Sequence, residues 1–92
     1  SKVDEVAIAN AKEFVDATVT PARLEQGIDY LKEMNLPIDE KSTGVFIKWV
    51  VDDVIKEESD IILAKQLDFK KVKSQIGQIA RQFYMQRINT NL

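Results

Sequence analysis

Residues 69–83 read FKKVKSQIGQIARQF, and the spacing of their apolar side chains decides the fold. Phe69, Val72, Ile76, Ile79 and Phe83 recur at intervals of 3, 4, 3 and 4 with Ala80 alongside, the seam of a helix packing at a shallow angle in a bundle or helix pair. Burying five such side chains contributes on the order of 8 to 15 kcal/mol before ordering entropy is subtracted, so this helix has to dock on something. The side opposite the seam carries Lys70, Lys71, Ser74, Gln78, Arg81 and Gln82, a donor-rich set without one acid. Lys and Arg suit phosphates, while Ser, Gln and Arg can address base edges in a groove wide enough for one helix. Gly77 lies near this side and permits close approach, at about 1 kcal/mol in helix propensity. A solvated face has the same composition in principle, but in ordinary bundles such faces mix signs, and this one does not.

Upstream, Ser59-Asp60 can cap a short helix, IILAKQL, and Asp68 can cap the long last one. This gives helix, tight turn, helix. Ala64, Leu67 and Phe69 match three positions of a DNA-reading helix-turn-helix, but Asp68 stands where the turn glycine belongs, and the next apolar positions of that pattern fall on Ser74 and Gly77. Only a non-standard helix-turn-helix fits.

Three further helices precede this pair. Val3, Ala7, Ala11 and Phe14 fall at helical spacing, with Val6 and Val15 at the margins. Thr20 as N-cap and Pro21 at the first helical position open a second helix; Leu24, Ile28 and Leu31 line it, and Asn35 with Pro37 ends it. In GVFIKWVVDDVIKEES, Val45, Phe46, Ile47 and Trp49 favour strands, yet Phe46, Val50 and Val54 share one helical face and no other segment offers a partner strand. Val45 and Trp49 fall on the other side, so this helix is either central to the bundle or half buried in a partner through Trp49. Asp53 and Glu57 share a face at i, i+4, but Lys56 lies among these acids and the run reads as a solvated face. No metal site is assigned.

Composition bounds the rest. Ninety-two residues make one domain, 1–92, and three Gly with two Pro argue against a disordered tail or a turn-rich β fold. The chain has neither Cys nor His, which excludes disulfides and thiolate metal sites and removes the commonest general base and the best nucleophile. No catalytic residue, cofactor or small-molecule substrate is expected. No apolar run reaches the roughly 18 residues of a membrane span, and the acidic N-terminus does not resemble a signal peptide, so a cytoplasmic location is expected. The net charge of −2 hides a split: residues 1–63 hold 7 basic and 14 acidic side chains, or −7, and residues 64–92 hold 6 basic and one acidic, or +5.

The sequence therefore reads as an all-α single domain of four to five helices. Its expected role is a non-enzymatic nucleic-acid-binding or regulatory module, DNA before RNA, that hides the seam of its last helix and offers the Lys70-to-Gln82 side. The alternative is a protein-interaction module that uses Val45 and Trp49, or Tyr84, Met85 and Ile88, which surround the last helix so that no single stripe buries all three. Those C-terminal residues also make a homodimer conceivable, which would double the phosphate contacts.

Overall fold

The computed structural model describes residues 1–90, which form four α-helices: α1 (Lys2–Thr18), α2 (Pro21–Glu33), α3 (Thr43–Ala64) and α4 (Phe69–Thr90), with one 3-10 turn at Glu40–Ser42 before α3. Among the described residues no helix is long and apolar enough to cross a membrane.

Each boundary has a local cause. Ser1 Oγ accepts from Asp4 N at the start of α1, and Thr20 Oγ1 accepts from Arg23 N at the start of α2, with Pro21 in its first turn. The ends of α2 and α3 share one design. Asn35 adopts φ 57° while Asn35 N bonds Lys32 O and Leu36 N bonds Leu31 O; Gln66 adopts φ 53° while Gln66 N bonds Leu63 O and Leu67 N bonds Ile62 O. Both are left-handed caps that satisfy the last carbonyls and fold a leucine back toward the bundle. Asn tolerates that backbone better than Gln, so the α3–α4 turn holds a conformation that glycine would adopt without strain.

IILAKQL is not a separate helix. It continues α3 beyond a kink at Glu58 (φ −115°, ψ 15°), and Ser59 and Asp60 are part of the helix rather than its cap. The four-residue turn Lys65–Asp68 then reverses the chain. Phe46, near the start of α3, stacks on Phe83 and Tyr84, near the end of α4, so the two helices run antiparallel.

α3 is the central helix. On one side Phe46, Val50 and Val54 are fully buried against Val72, Ile76, Ala80 and Tyr84 of α4, and α1 packs in turn on α4. On the other side Trp49 lies half-buried on α2, its ring stacked on Tyr30 at 6.0 Å. The approach of α2 to α3 depends on Gly27, because a Cβ there would sit 2.8 Å from Phe46 Cε1 and 3.2 Å from Trp49 Cε3. Leu24, Ile28 and Leu31 fill the α2 face as their spacing predicts. In α1 the buried residues are Ala11, Phe14 and Val15, and Val19 follows them; Val3, expected in that stripe, is exposed because nothing packs beside the first turns.

Arg23 ties three helices together. Its Nη1 donates to Thr18 O at 2.6 Å, at the end of α1, and its Nε donates to Asp53 Oδ2 at 2.9 Å, in the middle of α3. Asp53, which the sequence places in an acidic run, therefore serves as the receptor of a partly buried guanidinium.

Gly27→Ala should lower stability by about 1 kcal/mol net, because the clash with two packed rings outweighs the gain in helix propensity. Denaturant unfolding followed at Trp49 checks it; an increase in stability would show that the rings yield freely.

Candidate functional site

The rotation of α4 about its own axis decides which of its side chains reach solvent. Val72, Ile76, Ala80 and Tyr84 are fully buried, a stripe at strict i, i+4 spacing. Relative to the 3, 4, 3, 4 seam this turns the helix by roughly 40°. Ile79 and Phe83 become flanking, partly buried residues, and Phe69 is left 48% exposed at the helix end. Ala80 is small enough to let α4 approach the bundle, and Tyr84 closes the stripe.

Tyr84 corrects an expectation. It is not a surface anchor for a partner, because its ring is fully buried 4.9 Å from that of Phe46 and its hydroxyl donates to Asp39 O at 2.6 Å. An aromatic ring with one polar tip suits such a position, where the apolar body is covered and the hydroxyl meets a backbone acceptor. Burial, and after it the neighbouring Asp39 carboxylate, push the Tyr84 hydroxyl above its usual value of 10. The other residues expected at a partner interface are placed less decisively: Val45 is exposed, Trp49 and Met85 are half-buried, and Ile88 packs partly against the core.

With the buried stripe fixed, the six candidate nucleic-acid contacts fall on one side of α4. Lys70, Ser74, Gln78, Arg81 and Gln82 are exposed, and Lys71 is partly covered. Among the described residues neither Lys70 nor Arg81 has an ion-pair partner within 4.0 Å. Lys71 differs. Its Nζ lies 3.3 Å from Asp68 Oδ2, while its backbone N donates to Asp68 Oδ1. That N–H, more than the ammonium, holds the Asp68 carboxyl below its ordinary value, so Asp68 is both the helix cap and the tether of one lysine.

Two cations of α4 that the candidate set omits have other roles. Arg87 lies on the core side, where it bonds Glu25 of α2 and covers the Phe83 ring at 5.3 Å. Lys73 sits 5.3 Å over the exposed Phe69 ring. A one-dimensional pattern gave no signal for Arg87, because its partner is 62 residues away. Lys73 was legible as the i, i+4 neighbour of Phe69.

The first turn of α4 holds Lys70 and Lys71 and no acid, although the partial positive charge of a helix N-terminus disfavours cations there. Asp68 offsets only part of this. The arrangement is an exposed, acid-free strip with lysines at one end and Arg81 about 16 Å further along the axis.

Comparison with protein-family models, with curated proteins and with solved structures returned no match.

Tyr84→Phe should cost about 1 kcal/mol, the net worth of one hydrogen bond, since Asp39 O keeps the Ser42 N–H as a donor. Because the folded state holds this hydroxyl protonated above pH 10, the native chain should also lose stability as the pH rises past 10, and the Phe variant should lose that component. Unfolding at pH 7 and pH 10.5 reads both effects; equal alkaline losses in the two proteins would contradict the assignment.

Proposed function

We propose that this chain is a non-enzymatic nucleic-acid-binding module whose α4 meets the phosphate backbone through Lys70, Lys71 and Arg81, with Ser74, Gln78 and Gln82 positioned for base edges or sugars. One observation carries this reading: α4 holds five cations and not one acid, and Lys70 and Arg81, at the two ends of its strip, stay exposed without an ion-pair partner among the described residues. Lys12 and Lys48 are paired with Asp16 and Asp52, while Lys2, Lys32, Lys41, Lys56 and Lys65 share the lack of an ion-pair partner among the described residues, so it is the absence of any acid along the strip that sets α4 apart.

Phe69 adds support. An exposed aromatic ring flanked by Lys70, Lys71 and Lys73 has the make-up of a stacking platform for unpaired bases, where cationic side chains track the backbone and the ring takes a base face. Placing lysines in the first turn of a helix works against its dipole, and a bound phosphate would reverse the sign of that interaction. The protein-interaction alternative loses its best C-terminal anchor with the burial of Tyr84 and keeps only part of Trp49.

Binding should therefore be electrostatic first and sequence-selective second. Log affinity for DNA should fall linearly with log salt, and Lys70→Ala or Arg81→Ala should weaken binding to all sequences alike while reducing that slope by about one each. Fluorescence anisotropy with a labelled duplex and a labelled single strand at several salt concentrations measures it and separates the two forms. Affinity indifferent to salt, or no binding at low salt, would overturn the proposal.

A further inference from the structure

The first half of α1 lies at the surface of the bundle. None of residues 1–10 is buried, and Val3 and Val6 remain 78% and 53% exposed. The segment is helical from Lys2 all the same, because Ser1 caps it and Asp4 and Glu5 occupy the first turn, where the helix dipole favours acids. Val3, Val6, Asn10, Glu13 and Ala17 follow one another at spacings of 3, 4, 3 and 4, so they form one stripe along α1. In its second half this stripe becomes the wall of a groove. There Glu13, Phe14 and Ala17 face Ile61, Lys65 and Leu67 from the end of α3 and the turn after it, around a space of about 400 Å³.

We propose that a second copy of this chain docks on this stripe with its α1 antiparallel to the first, so that the overhanging Val3 and Val6 of each copy lie in the groove of the other. The charges select both the occupant and its direction. Lys2 and Glu13 have no ion-pair partner within 4.0 Å in their own chain among the described residues. Antiparallel pairing carries the first half of one helix onto the second half of the other, which brings Lys2 toward Glu13, twice per pair. Parallel pairing would instead set Glu13 against Glu13 and leave both grooves empty. The arrangement is isologous, so it closes at two copies.

A helix pair this short, with one groove wall added on each side, falls at the small end of specific interfaces, so the dimer forms reversibly in the micromolar range or weaker. Its residues lie on α1 and at the end of α3. They do not overlap the strip on α4, and the dimer stands or falls independently of nucleic-acid binding.

Sedimentation of the full chain up to about 0.5 mM tests it at a concentration where micromolar and weaker association still registers. The expected result is a monomer–dimer equilibrium with nothing larger. Val6→Asp, at an exposed position, should leave helix content and melting unchanged while raising the dimer dissociation constant at least about tenfold, as loss of an anchor does. Lys2→Glu should also weaken the dimer, and adding Glu13→Lys to it should restore association, which a mere folding defect would not allow. A chain that stays monomeric throughout, an association that Val6→Asp leaves unchanged, or growth beyond two copies would overturn the proposal.

Discussion

Tyr84 sets the frame of this molecule. Its ring lies against Phe46 of the central helix and its hydroxyl is held by the Asp39 carbonyl, so α4 is pinned both in rotation and along its axis. A helix held only by aliphatic side chains could turn by a few tens of degrees and find comparable burial. A directed hydrogen bond at the end of the stripe removes that freedom. Once Val72, Ile76, Ala80 and Tyr84 face inward, Lys70, Ser74, Gln78 and Arg81 have to face water.

The same logic runs through α3, which is sandwiched rather than laid on a surface. Phe46, Val50 and Val54 close the core with α4, while Trp49 closes against α2 in the space that Gly27 leaves open. Arg23 then locks the outer layer by joining the α1 terminus to Asp53. Side-chain groups that the folding buries or half buries find partners: the Tyr84 hydroxyl, the Arg23 guanidinium and Asp53 all do. Lys70 and Arg81 of α4 have no ion-pair partner among the described residues, and the proposed polyanion-binding role rests on the lack of any acid along their side of the helix.

Much of the fold was legible in the sequence. Four helices, the Thr20-Pro21 start, the Asn35 stop and the burial of Leu24, Ile28, Leu31, Phe46, Val50 and Val54 follow from periodicity and capping chemistry alone. What was not legible depends on neighbours. A pattern that weights large apolar side chains picks Phe69 and Phe83 over Ala80 and Tyr84, because alanine adds little to a seam and tyrosine reads as amphipathic. Val3 continues the α1 pattern, but no helix lies beside it. The kink at Glu58 and the left-handed Gln66 carry no residue-type signal, since neither position holds glycine or proline. Of the candidate site, the membership of the exposed strip was readable from spacing, while the tether of Lys71 to Asp68 and the use of Arg87 on Glu25 required the folded chain.

The central claim is that α4 turns one side into the core and leaves its acid-free side available to a polyanion. The most direct test is a titration of the isotopically labelled chain with a short DNA duplex at low salt, followed residue by residue through amide chemical shifts. The account predicts shifts concentrated at Lys70, Lys71, Ser74, Gln78 and Arg81, with the amides around Trp49 unmoved. Shifts centred on Trp49 and Val45, or a spectrum that does not change along α4, would contradict it.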